Sequence, residues 1–86
     1  MALNELDINI YPNPSNGILS VSLAQLPDYE MHLEIVDVMG RKVFDRNLEF
    51  ASKELNLDLS GTLENGMYYL RFSKGKTGIV KKIIIE

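Results

Sequence analysis

The 86-residue sequence predicts an all-β fold, an antiparallel immunoglobulin-like β-sandwich of about seven strands. Period-two alternation of apolar and polar residues recurs along the chain. Glycine-containing turn signals punctuate it at short intervals, and no segment sustains the 3.6-residue period of an amphipathic helix. Two sheets packed face to face are expected, because a single sheet would leave its apolar face in water.

The first strand is read over Ile8–Tyr11 and runs directly into "YPNPSNG". Pro12 and Pro14 remove two ladder donors and bias Tyr11 and Asn13 toward extended backbone, so this stretch reads as a stiff, unpaired spacer and corner. Ser15-Asn16-Gly17 then turns the chain into a second strand, Ile18–Leu23, with Leu19, Val21 and Leu23 inward and Ser20 and Ser22 outward. A third strand covers Met31–Val38. The hairpin "DVMGRKV" follows, Gly40 supplying a positive φ and Asp37 accepting hydrogen bonds from loop amides. The fourth strand is Lys42–Leu48. The fifth, Glu54–Leu59, shows the plainest alternation, with Leu55, Leu57 and Leu59 opposite Asn56, Asp58 and Ser60. The sixth, Met67–Ser73, buries Tyr68, Leu70 and Phe72 and exposes Tyr69 and Arg71. In "LENGMYYL", Leu63, Gly66, Tyr68 and Leu70 have the spacing of a tyrosine corner, in which the hydroxyl bonds back to upstream backbone. The last strand is Ile79–Ile85.

Composition narrows the function. Eighty-six residues support one domain with a small core and no deep pocket. The absence of Cys excludes a disulfide scaffold or a thiolate metal site. No apolar run approaches the roughly 20 residues of a membrane span, so no direct membrane insertion is expected. The net charge of −3 argues against a nucleic-acid binder. Its distribution is uneven: residues 1–65 carry four basic and eleven acidic side chains (−7), residues 66–86 five basic and one acidic (+4).

Catalytic equipment is sparse. The lone His32 lies within a strand with no neighbouring carboxylate in view and reads as structural. No serine occupies a G-x-S-x-G elbow. Glu34, Asp45, Glu49 and Asp58 fall at outward positions or turns, and the six glycines are scattered singly, which excludes a phosphate loop. No cofactor, metal or catalytic residue is expected. The run "GIVKKIIIE" is strongly β-prone. Its lysines are either gatekeepers on an edge strand or part of a handle that another protein grips, and the residues alone leave both readings open.

In order, "IYPNPSNGILSVSL", "VDVMGRKV", "LENGMYYLRF" and "KKIIIE" resemble the C-terminal sorting domain of the type IX (Por) secretion system of Gram-negative bacteria, type A, over nearly the whole chain. By that resemblance, Pro12, Asn13, Pro14 and Gly17 fill the opening motif, Asp37, Gly40 and Val43 the hairpin motif, and Gly66 and Tyr68 the late motif. These are mainly structural. Lys81, Lys82, Ile83, Ile84, Ile85 and Glu86 correspond to the final strand, the expected recognition element, and β-augmentation is one docking mode for it.

The resemblance implies a non-enzymatic secretion signal at the end of a larger cargo protein. The partners it implies are shuttle and translocon components, a sortase-like surface peptidase and the upstream cargo domain. It also implies passage through the periplasm to the cell surface or medium, with the cargo released or attached there. Residues 1–7 are read as an added start and the end of an upstream linker, and residues 8–86 as the sorting domain, which puts the scissile bond upstream. An immunoglobulin-like accessory module that binds glycan or packs on a secreted enzyme is the alternative reading. Weak self-association through edge strands is a further expectation.

Overall fold

The computed structural model describes residues 2–86. Among them, a 3-10 turn at Leu3–Glu5 is followed by β1 (Asn9–Tyr11), β2 (Ile18–Ser22), β3 (Met31–Asp37), β4 (Lys42–Leu48), β5 (Glu54–Asp58), β6 (Gly66–Lys74) and β7 (Thr77–Ile85). Every strand read from periodicity is present, with bounds shifted by at most two residues. The strands form two antiparallel sheets, β1-β2-β5 and β4-β3-β6-β7. Pairing β2 with β5 in one sheet and β3 with β6 in the other is compatible with an immunoglobulin-like sandwich.

The alternation in the sequence becomes the two inner faces. Leu19, Val21 and Leu57 from one sheet meet Leu33, Ile35, Leu70, Phe72 and Ile83 from the other, all buried in a single cluster. Tyr69 and Arg71 face solvent as expected. The tyrosine corner is formed: the Tyr68 hydroxyl donates to the Glu64 carbonyl at 2.7 Å while its ring lies in the core. That bond lets a phenol be buried without leaving its polar end unsatisfied.

The chain before Ile8 does more than lead in. Leu3 and Leu6 are 2% and 0% exposed, and the Leu6 carbonyl accepts the Ala24 amide at 2.7 Å. The segment read as the end of a linker therefore contributes side chains to the core from Leu3 onward. It sits beyond the Asn9 end of β1, whereas the proline segment sits beyond the Tyr11 end, so the two lie toward opposite poles of the sandwich.

In a domain this small, each large apolar side chain is a substantial part of the margin. Replacing Leu6 by Ala should cost about 2–5 kcal/mol, the usual range for a fully buried leucine. Deleting residues 1–7 removes Leu3 as well and should cost more. Urea unfolding followed by far-UV circular dichroism measures both, and a midpoint unchanged by the deletion would remove these residues from the folded unit.

Candidate functional site

The motif residues are scattered in sequence and gather at one end of the sandwich. Cross-strand register places Asp37 beside Tyr68 and Tyr68 beside Ile83, and two rows further on Gly66 pairs with Ile85. Ile85 is in turn bridged to Ser15, in parallel sense, across the outer edge of β7. The opening motif, the hairpin, the late motif and the final strand thus share one pole.

The contact between the opening motif and β7 is the least expected feature. "YPNPSNG" is not an unpaired spacer, as its prolines suggested. The Asn13 amide spans the β7 edge, its Nδ2 donating to the Lys82 carbonyl at 3.1 Å and its Oδ1 accepting the Ile84 amide at 3.0 Å. Two residues on, the Ser15 amide donates to the Ile84 carbonyl and the Ser15 carbonyl accepts the Glu86 amide, both at 2.9 Å. A side-chain amide and a main-chain peptide therefore act together as a short strand laid against β7. Both Tyr11-Pro12 and Asn13-Pro14 peptide bonds are cis.

Local bonds fix this strap. Ser15 is the one buried polar side chain among the described residues, its hydroxyl donating to the Ile18 carbonyl and accepting the Gly17 amide, each at 3.0 Å. Gly17 has φ +107°, and a Cβ there would stand 2.7 Å from the Ser60 Cα, so both conformation and space demand glycine. Its carbonyl accepts the Leu59 amide at 2.8 Å, tying the strap to the end of β5.

The hairpin motif is equally local. Asp37 Oδ1 accepts the amides of Met39 and Arg41, each at 2.9 Å, and Oδ2 accepts Arg41 Nε at 3.1 Å. Gly40, at φ +82°, completes the reversal. Register passes from Ile35 opposite Phe44 to Val36 opposite Lys42, which makes Val43 the extra residue of a β-bulge on the β4 edge. The Arg41 amide is the main cause that holds the Asp37 carboxyl below the ordinary aspartate value, with the Met39 amide and the Arg41 charge adding to it against partial burial.

The expected recognition residues separate by face. Ile83 and Ile85 are core residues at 1% and 3% exposure, Lys81 is half-buried, and Lys82, Ile84 and Glu86 are exposed. Of the six, Lys82, Ile84 and Glu86 are the ones whose side chains stand in solvent.

Sequence reasoning missed the surroundings of His32. It gave the ring no carboxylate, but β3–β4 pairing brings Asp45 Oδ1 within 2.6 Å of Nε2, and Asn47 Oδ1 lies 2.7 Å from Nδ1. His32, Glu34 and Asp45 form a group whose ligand atoms lie within 4.8 Å of one another. Lys42 Nζ serves the two carboxylates, 2.8 Å from Asp45 and 3.5 Å from Glu34, so the group is joined in an ion-pair network. Lys42 is also the main cause that lowers the Asp45 carboxyl. A recess of about 290 Å3 opens at the pole opposite the β3–β4 hairpin, lined by Pro27, Asp28, Tyr29, Glu30, Glu49 and Phe50. Its lining holds no histidine, cysteine, serine or threonine.

Asn13→Ala removes two hydrogen bonds and should cost about 1–3 kcal/mol while accelerating amide exchange at Ile84. Exchange measured by NMR on the isolated domain tests this, and an Ile84 amide unaffected by the substitution would contradict the strap. Acid should act through Asp37, Asp45 and Asp58, all held below the ordinary value. A carboxylate with a depressed folded pKa stabilises above the unfolded value and loses that contribution as pH falls through the folded one. The thermal midpoint should therefore drop below about pH 5, and Asp37→Asn should be less stable at neutral pH with a shallower acid decline. Parallel acid profiles for the two proteins would refute that role of Asp37.

A family model described as a secretion system C-terminal sorting domain matches residues 9–86. Comparison with curated proteins finds no match. The match spans the strap, the hairpin, the tyrosine corner and the final strand, the four features that geometry gathers at one pole. A sorting signal of this kind is a non-catalytic type of domain that implies an upstream cargo in the same precursor, interaction with the secretion machinery and export across the outer membrane. The chain belongs to the C-terminal sorting domains of the type IX (Por) secretion system.

Proposed function

We propose that this domain is read by the machinery at its C-terminal strand and the pole around it, and is afterwards removed by a sortase-like surface peptidase. Its cargo passes through the periplasm and ends at the cell surface or in the medium. The supporting observation is the convergence of four separated motifs on the β7 end of the molecule. Conserving the fold alone does not require a basic, exposed terminal ribbon, and Lys82, Ile84 and Glu86 offer side chains that packing leaves unused. The chain before β1 lies toward the other pole, where the cargo would enter, so cargo and recognised surface need not compete for space.

Packing also bears on where cleavage falls. Leu3 and Leu6 belong to the core, so a cut that leaves the released domain folded lies before Leu3. The accessory-module reading gains nothing from the aromatics. Tyr11 and Tyr69, the large exposed ones, stand on the outer faces of different sheets and make no common platform for a sugar.

A fluorescent reporter carrying an export signal and ending in this chain tests the reading in a bacterium with the type IX machinery and in its translocon-null derivative. Surface or extracellular reporter is expected only in the first, with a peptide tag placed just before Leu3 separated from the domain on arrival. Equal delivery in both strains would overturn the sorting role. Deletion of residues 77–86 is a poor test, because it removes the buried Ile83 and Ile85 together with the handle.

A further inference from the structure

Antiparallel pairing points the amide and carbonyl of a given residue to the same side, and the side alternates along the strand. The amide and carbonyl of Ile84 both point away from β6, to Asn13 and Ser15. The outward residues of β7 are therefore the even-numbered ones. From Lys82 onward they are taken: the Lys82 carbonyl, both groups of Ile84 and the Glu86 amide all bond the strap. Before that point the edge has neither a strand nor the strap bonded to it, although the 3-10 turn at Leu3–Glu5 packs near β7. The amides and carbonyls of Gly78 and Val80, and the amide of Lys82, lie on an edge whose only sheet neighbour is β6 on the other side.

Resting on the reading of the terminal strand as the recognition element, we propose that the secretion machinery adds an extended acidic peptide segment to β7 along Gly78–Lys82, and not along its last four residues.

Charge identifies the occupant. The Arg71 guanidinium lies over Gly78, its Nη2 3.0 Å from where a Cβ would stand, and Lys82 is exposed at the other end of the open edge. Lys74 and Lys76 flank the β6–β7 turn between them. The ribbon from residue 66 carries +4 against −7 for the rest of the chain, so an incoming strand with carboxylates meets cations along its length. Val80, 56% exposed at mid-edge, leaves one apolar contact for a residue of the same strand. A second copy paired β7 to β7 would instead bring its lysines against these. The other edges are poorer: β1 has three residues, β4 is bulged at Val43, and β5 carries Glu54 and Asp58. A nine-residue edge strand, without a strand or strap partner over half its length and bearing cations, fits strand addition by an acidic segment.

The full-chain reporter carries the test, with Val80→Pro, Lys82→Glu and, on the remote β4 edge, Arg46→Glu as control. Proline at an outward edge position removes the donor without breaking the β6 ladder. Surface delivery should fall at least ~10-fold for Val80→Pro and Lys82→Glu, with protease-resistant reporter held in the periplasm, and remain at the wild-type level for Arg46→Glu. In the isolated domain, amides of Val80 and Lys82 should exchange at least ~10-fold faster than those of Ile84 and Glu86. Should Val80→Pro fail to fold, Lys82→Glu and the exchange pattern still decide. Wild-type delivery of both variants, with wild-type export still dependent on the translocon, would overturn the docking register and leave sorting intact. Delivery of the wild-type reporter in the translocon-null strain would overturn sorting itself. A concentration-dependent dimer that protects Val80 would overturn the acidic-peptide assignment in favour of a second copy.

Discussion

The constraint on which the rest of the molecule depends is the outer edge of β7. A nine-residue edge strand ending in three isoleucines exposes a row of unpaired main-chain groups, the feature that makes β-proteins aggregate. Here the main-chain remedy is the short loop between β1 and β2. Asn13 and Ser15 supply the missing hydrogen bonds over the most apolar third of the strand, where Ile83 and Ile85 also enter the core. Where the strap ends, lysine and arginine begin.

Holding that strap in place sets demands on distant parts of the sequence. Gly17 must turn closely against Ser60, which requires the end of β5 at that spot. Ser15 must be buried with its hydroxyl bonded to Ile18 and Gly17. The row that receives it, Gly66 opposite Ile85, is in turn positioned by the tyrosine corner next to it, since Tyr68 both pairs with Ile83 and anchors the loop before β6 through Glu64. Asp37, the partner of Tyr68 on the other side, closes the β3–β4 hairpin. Four motifs that look unrelated along the chain are consecutive positions across one end of two sheets.

How far this could be read from sequence follows from which features have a period. The strands and their buried faces were legible because alternation survives into the structure: Leu19 and Val21, or Tyr68, Leu70 and Phe72, are buried as their spacing predicts. Turn chemistry at Gly40 and Asp37 was legible for the same reason, as it is local. The strap was not, because a side-chain amide standing in for a peptide group leaves no periodic trace, and two prolines argue against pairing. The ion-pair network failed for a different reason. Asp45 reaches His32 only through cross-strand register, and register shifts at Val43, a bulge no alternation announces. Leu3 and Leu6 were passed over because a 3-10 turn shows neither strand nor helix period.

Division of β7 into a covered and an open half bears on what a partner can learn from it. The covered half exists only when residues 12–17 are in place, and those depend on β5, β6 and the core beneath them. The open half is bounded by the same folding event, because without the strap the whole strand would be available, and without β6 there would be no flat edge to extend. An unfolded chain carries the same lysines and isoleucines in the same order, yet presents no aligned donors and acceptors between Arg71 and Lys82. A partner that pairs with this edge would therefore need the folded domain and not the sequence alone. Such a partner would meet cationic side chains along the open half and would have to stop where the strap begins.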